Sequence, residues 1–116
     1  MISVQLDICK EYNADYLECD TQLISGVADT VREGMVPING LRHPQENGTT
    51  GWYIRAGENL ETGDDFFKSM HTTHLIEKCP EVEKYLGLAP GWRFLINPVS
   101  KYVDVWYDDS LLETSD

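Results

Sequence analysis

Two histidines three residues apart, His71 and His74, offer the most direct route to chemistry in this chain. On a helix this spacing directs both imidazoles to one side, where Asp64 or Asp65 would supply a carboxylate ligand for a metal ion. Metal sites also need a third well-placed ligand and supporting hydrogen bonds, and the position of both histidines at a predicted helix start is explained more simply by capping or packing. A small metal-dependent enzyme is therefore an alternative that we do not favour.

The three cysteines, Cys9, Cys19 and Cys79, do not form a recognisable reactive pattern. Their odd number and the lack of C-x-x-C spacing argue against a disulfide framework and against a zinc ribbon. Cys79 directly precedes Pro80 on a predicted apolar helix side, and neither of the other two has a histidine nearby in sequence. We therefore predict buried thiols rather than an activated nucleophile.

The glycine-rich segment 87–91 does not form a phosphate-binding loop. It lacks the Lys and the Ser or Thr of a P-loop, and no G-x-G-x-x-G pattern follows a predicted strand. The sequence gives no support to nucleotide chemistry, and we predict a protein that is not an enzyme and uses no cofactor.

Three segments, 51–58, 90–96 and 102–107, alternate side chains at the period of a β-strand. One side of each is apolar and predicted to face the core. The other side carries the aromatic, arginine and acidic residues Tyr53, Arg55, Arg93, Tyr102, Asp104 and Trp106. This composition is typical of binding hot spots. The alternative, which we favour because Leu95 shares this side, is a cross-strand ladder in which Asp104 pairs with an arginine beneath the N-terminal helix.

The remaining periodicity predicts the elements that position these strands. Val4, Ile8 and Tyr12 indicate a short N-terminal helix that Ser3 caps and Asn13 ends. Segments 23–32 and 35–41 are rich in β-forming residues, and the proline at position 37 places the second at an edge or a bulge. Segments 73–78 and 81–86 predict a kinked helix interrupted at position 80.

These elements predict one α+β domain over residues 1–116, with 113–116 as a tail. Its mainly antiparallel sheet has about five strands, with the short N-terminal helix and the kinked helix packed on it. No apolar run approaches the length of a membrane span, and the N-terminus lacks the features of a secretory signal. We therefore expect a cytoplasmic protein that does not bind a membrane.

Acidic residues dominate the charge of the chain. Twenty Asp and Glu residues oppose nine Lys and Arg residues, for a formal net charge of −11. This charge repels phosphate backbones, so we predict no nucleic-acid binding. The acidic residues concentrate at Glu58, Glu61, Asp64 and Asp65, and again at Asp104, Asp108 and Asp109. Such patches attract a basic partner, although a solvated surface that maintains solubility explains them equally well.

Several dispersed motifs occur together in this chain. They are Gly51-Trp52-Tyr53-Ile54 with Gly57-Glu58, Asp65-Phe66-Phe67, His71 to His74, Cys79-Pro80-Glu81, Tyr85-Leu86-Gly87-Leu88, Pro90-Gly91-Trp92-Arg93-Phe94 and Asp104-Val105-Trp106-Tyr107-Asp108. In this order they resemble the immunity-protein-33 family of bacterial polymorphic toxin systems, over about residues 20 to 112. The resemblance implies a small protein without catalytic residues that binds and neutralises a toxin domain made by the same cell.

From the resemblance and the charge together we predict an immunity protein that blocks a basic toxin domain without covalent chemistry. The residues predicted to contact the toxin are Glu58, Glu61, Asp64, Asp65, Asp104, Trp106, Asp108 and Asp109. A regulatory adaptor that recognises a peptide through an exposed sheet edge is a second alternative.

Overall fold

The apolar alternation of the sequence becomes a six-stranded sheet in the computed structural model, which describes residues 2–46, 48–57 and 67–112. The strands are β1 (Ile24–Ala28), β2 (Ile38–Arg42), β3 (Thr49–Ala56), β4 (Phe67–His71), β5 (Trp92–Asn97) and β6 (Tyr102–Tyr107). The helices are α1 (Ile2–Tyr12), α2 (Asp29–Arg32) and α3 (Thr72–Lys78), with two 3₁₀ helices, η1 (Pro80–Tyr85) and η2 (Asp109–Leu112).

The strands lie in the order β4-β1-β3-β2-β5-β6, and only the β1–β3 pair among them is parallel. This confirms the predicted α+β class and the mainly antiparallel sheet, with six strands rather than about five. The strand that sequence patterning did not identify is the edge strand β4. Its central residues Lys68 and Ser69 are both exposed, so it lacks the apolar alternation of a half-buried strand.

The helices pack on one face of the sheet, around an aromatic core. Phe94 stacks on Tyr85 of η1 with ring centroids 5.1 Å apart and lies 5.5 Å from the ring of Trp52. Helix α1 packs over η1, and the Gln5 Nε2 atom donates a hydrogen bond of 2.8 Å to the Glu83 carbonyl between them. This face therefore holds the hydrophobic core of the described residues.

The helix predictions are mostly confirmed. Helix α1 begins at Ile2, so Ser3 lies inside it and the predicted capping role is wrong. Asn13 follows the last helical residue with φ of 57°, the left-handed conformation in which Asn commonly ends a helix. The kinked helix is present as α3 followed by η1, with Pro80 at the first position of η1.

Two strand predictions need correction. The segment 23–32 is β1 only as far as Ala28 and then turns into helix α2, where the Thr30 hydroxyl accepts a hydrogen bond from the Ala56 amide. Strand β2 is central rather than at an edge, since it pairs with both β3 and β5. Pro37 is compatible with this place because it precedes the first ladder residue, Ile38, and has no amide hydrogen to contribute.

Candidate functional site

The register of four neighbouring strands assembles eight side chains on the face of the sheet opposite the helices, which we call the outer face. One row across β3, β2, β5 and β6 consists of Arg55, Asn39, Leu95 and Asp104, and the next consists of Tyr53, Leu41, Arg93 and Trp106. Residues directly opposite each other in a ladder project from the same side of the sheet. The outer face therefore combines two arginines and two aromatic rings with two leucines, an amide and a carboxylate.

The outer face is separate from the hydrophobic core. None of its eight side chains belongs to the core cluster of the described residues, and Tyr53 is 37% exposed. One end is bordered by η2, where the Leu111 carbonyl lies 3.1 Å from the His43 Nδ1 atom. The His43 ring in turn meets the Tyr53 ring edge-on, with centroids 5.3 Å apart. The face thus has a defined border at the η2 end.

Arg55 is a buried cation without a counterion among the described residues. It is 9% exposed, and its Nε atom has no hydrogen-bond partner there. Burial lowers the pKa of its guanidinium, and the like charge of Arg93 lowers it further. The surroundings of Arg55 therefore disfavour its charge.

The guanidinium of Arg93 uses only part of its hydrogen-bonding capacity within the described residues. Its Nη1 atom lies 3.3 Å from the Asp108 Oδ2 atom, and its guanidinium carbon lies 5.3 Å from the centre of the Trp106 ring. Its Nε atom, like Asn39 Oδ1, is buried without a partner. Together with Arg55 Nε, these are the buried side-chain atoms found unpaired in the described ranges, and all three lie on the outer face. Native proteins leave few such atoms unpaired, so their concentration on one face marks it as a candidate binding surface.

Asp108 organises the turn that leads from β6 into η2. Its Oδ1 atom accepts hydrogen bonds from the Ser110 amide and hydroxyl, and these bonds, with the nearby Arg93, lower the pKa of its carboxyl. Asp109, the first residue of η2, is exposed. Asp108 is therefore engaged within the chain, whereas Asp109 presents its charge to solvent.

The sequence-predicted contact residues fall into two groups. Asp104 and Trp106 lie on the outer face, with Asp108 and Asp109 just beyond it. The other four, Glu58, Glu61, Asp64 and Asp65, lie outside the described residues.

The favoured ladder interpretation is wrong in two respects. Helix α1 packs over η1 on the opposite face, so it does not cover the row of arginines and aromatics. The ion pair joins Arg93 to Asp108 rather than to Asp104, since Asp104 lies opposite Leu95. The burial preference of large aromatics misled this prediction, because two-faced strands do not reveal which face the helices cover.

The histidine pair does not lie on one helix as the metal hypothesis requires. His71 is the last residue of β4, and His74 lies in the first turn of α3. Both are exposed, and their ring centroids are 6.0 Å apart. Within the described ranges, no three His, Cys, Asp or Glu side chains are grouped so that they could hold a metal ion. Asp64 and Asp65 lie outside those ranges.

All three cysteines are buried and free, which confirms the predicted thiols. Burial raises the pKa of both Cys19 and Cys79 to about 11. Burial also raises the pKa of Cys9, whose Sγ atom lies 3.5 Å from the Gly87 carbonyl oxygen. Thiols that hold their protons this tightly are poor nucleophiles at neutral pH.

Sequence reasoning missed Arg42, which is completely buried on the helix side of the sheet. Its guanidinium donates to five backbone carbonyls, those of Leu17, Glu18, Thr50, Leu86 and Leu88. The signal was present in the sequence, since Arg42 is in phase with Ile38 and Gly40 on the core side of β2. Its role is structural, because it joins three separate segments of the chain.

A family model described as Imm33-like domain matches residues 4–108 of the chain. No curated protein and no solved structure matches the chain. In the described part of the chain, the helices are too short or too polar to span a membrane.

Proposed function

Because the chain belongs to the Imm33-like domain family, we propose that it is an immunity protein that binds a cognate bacterial toxin domain and neutralises it by non-covalent occlusion. The family match carries this proposal, since it spans nearly the whole chain. The buried thiols, and the arginine and aromatic side chains that lie outside the hydrophobic core, support a binding role over nucleophilic catalysis.

We assign a basic character to the toxin and acidic contacts to this chain. The net charge of −11 favours attraction of a cationic partner over long distances. The proposed contacts are Asp104 and Trp106 on the outer face, with Asp108 and Asp109 just beyond it. From the sequence alone we add four acidic residues that would raise the rate of association with a basic toxin: Glu58, Glu61, Asp64 and Asp65.

Growth rescue tests the proposal. Toxin domains encoded in the source genome are expressed one at a time in a host cell, with and without this chain. We expect the chain to restore growth against one toxin and to co-elute with it as a stoichiometric complex of two intact chains. An unrelated acidic protein of similar net charge is the control. Rescue that leaves a cleaved or chemically altered toxin and no complex would contradict non-covalent occlusion.

A peptide-binding adaptor is the second candidate, and the edge strand β6 favours it. Tyr102, Val103 and Tyr107 of this strand are 48%, 44% and 50% exposed, and one side of the strand lacks a neighbour within the described sheet. An added peptide strand would bind mainly through backbone hydrogen bonds. Its affinity would therefore change little with salt, whereas binding of a basic toxin would weaken steeply as salt rises.

A further inference from the structure

A contribution to folding stability does not explain why an arginine is buried at position 55. Burying a cation without a counterion is destabilising, and Arg55 has neither an acidic partner among the described residues nor an acceptor for its Nε atom. Among the described residues, the charge that acts on Arg55 is that of Arg93, which repels it. A group supplied by another molecule would provide the missing acceptor and the missing negative charge.

The groups around Arg55 indicate the chemistry of that missing partner. Asn39 lies directly opposite Arg55 in the ladder, and Arg93 lies on the next strand beyond it. In the part of the chain that the structure describes, both arginines have an Nε donor without a partner. A guanidinium matches the planar fork of a carboxylate, with which it forms paired, charge-assisted hydrogen bonds.

The border of the site favours a protein carboxylate over a phosphate polymer. Tyr53, Leu41, Leu95 and Trp106 provide apolar and aromatic area around the two arginines, as protein-binding hot spots do. Asp104 is the last residue of the row that begins with Arg55. Asp108 lies beyond the row that contains Arg93, with which it forms an ion pair. This acidic rim and the net charge of −11 repel a polyphosphate. The complementary surface has a carboxylate at its centre and basic groups around it.

On the basis of the proposed immunity function, we propose that the outer face is the toxin-binding surface and that Arg55, together with Arg93, receives an Asp or Glu side chain of the toxin. Basic toxin residues surround that carboxylate and face Asp104 and Asp108. The toxin is thus basic overall, yet it is anchored through one acidic residue. This arrangement accounts for a cationic centre on a strongly acidic protein.

The first test separates binding from stability with the variant Arg55→Met, which keeps the length of the side chain and removes its charge. Because the described residues give the Arg55 Nε atom no acceptor and its charge no counterion, we expect a melting temperature equal to or above that of the wild type. The dissociation constant for the toxin that the wild-type chain neutralises should rise at least about 30-fold. A lowered melting temperature, failure to fold or unchanged affinity would each overturn the inference.

Two further variants calibrate this result. Lys10→Met removes an exposed positive charge from α1, on the opposite side of the sheet, and should leave the dissociation constant within about threefold of the wild type. Arg55→Lys keeps the charge but loses the fork, so it should weaken binding by about tenfold. Wild-type affinity for Arg55→Lys would contradict the paired hydrogen bonds, and equal losses for Lys10→Met and Arg55→Met would contradict a local site.

A double-mutant cycle identifies the carboxylate. Each surface Asp or Glu of the toxin is changed to Asn or Gln and measured against wild-type chain and against Arg55→Met. One position should lose about tenfold or more in affinity with the wild type and much less with the variant. If no acidic position couples to Arg55 while the wild type still rescues growth, the carboxylate inference fails and the immunity function stands. If the wild type neutralises no toxin, the immunity function itself fails and this inference with it.

Discussion

Two buried arginines in this chain differ in their hydrogen bonding, although burial lowers the pKa of both. Arg42 satisfies five carbonyl oxygens at distances from 2.8 to 3.3 Å and lies over the Trp52 ring, whereas Arg55 has an unpaired Nε atom and a like charge nearby. A buried charge is tolerated when it is fully hydrogen-bonded and costs stability when it is not. The two residues therefore serve different ends although both are arginines on central strands.

The variant Arg42→Met should lower the free energy of unfolding by about 3 kcal/mol or more, because several buried carbonyls lose their donor at once. Urea unfolding followed by tryptophan fluorescence measures the loss. Arg55→Met is the matched control, since it removes the same charge from a buried position where the described residues offer its Nε atom no hydrogen bond. Equal free energies of unfolding for the two variants would contradict this distinction.

The buried thiols give a prediction for pH. Folding raises the pKa of Cys19 and Cys79 from 9.0 to about 11, so below pH 9 both are protonated in the folded and the unfolded chain. Between those values the unfolded chain loses the protons first, and the two thiols then favour unfolding. At pH 8 we expect native alkylation by iodoacetamide to be about a hundredfold slower than alkylation of the unfolded chain.

The variant Ser100→Cys provides the control for that experiment, because position 100 lies in the exposed turn between β5 and β6. Its thiol should react at the rate of a free cysteine. Mass spectrometry of the alkylated peptides assigns each rate. Labelling of Cys79 as fast as the new thiol would indicate an activated thiolate and would contradict the interpretation of buried, inert cysteines.

At the scale of elements, β2 depends on a glycine. Gly40 lies directly opposite Phe94, and a Cβ atom added at Gly40 would approach the Phe94 ring to 2.3 Å. Phe94 is completely buried and packs between Trp52 and Tyr85, so it has no free space into which to move. The strand can occupy the centre of the sheet because its core side includes this glycine.

Gly40→Ala should therefore lower the free energy of unfolding by about 1 to 3 kcal/mol. Gly26→Ala on β1 is the matched control, since its Cβ atom would approach the Tyr53 ring to 2.6 Å on the outer face. Tyr53 is 37% exposed and can turn aside, so we expect a smaller loss. Urea unfolding of both variants compares them. A larger loss at Gly26 than at Gly40 would show that the outer face, not the core, is the rigid side.

Local patterns predicted the elements to different degrees. Strands β3, β5 and β6 and both parts of the kinked helix were predictable, because each buries one face and so repeats apolar residues at its own period. Strand β4 and helix α2 were not. The exposed residues of β4 carry no apolar alternation, and α2 is one short turn whose Thr30 bonds to distant β3. Both depend on tertiary contacts that no local window contains.

At the scale of the whole molecule, two kinds of acidic charge would attract the proposed partner: the net charge of the chain and the carboxylates close to the docking surface. The net charge of −11 acts over the whole surface, whereas Asp104 lies on the outer face and Asp109 just beyond it. Long-range attraction raises association rates, and charges near the docking surface contribute most. Local and global effects can therefore be separated by changing the same number of charges at two places.

Asp104→Asn with Asp109→Asn should slow association with the toxin several-fold at low salt and change the dissociation rate little. The control is Asp7→Asn with Glu77→Gln, which removes two exposed charges from α1 and α3 on the opposite face. Stopped-flow mixing at increasing salt measures the rates. The two double variants should converge at high salt, and equal slowing at low salt would show that only the total charge matters.

The amino-acid sequence by itself determined the α+β class, the two-faced strands, the buried thiols and the acidic balance. Each depends on residue type and on spacing along the chain, which a linear pattern contains. The sequence identified the arginine and aromatic side chains of the outer face, but it did not predict how they are arranged.

The tertiary structure alone decided that β2 inserts between β3 and β5, which places Asn39 and Leu41 between the two arginines. It also decided that the helices cover the Trp52 side, which leaves Arg55 on the other side and Arg42 within the core. Alternation reveals that a strand has two faces, but strand order and helix placement follow from non-local packing between segments far apart in the chain.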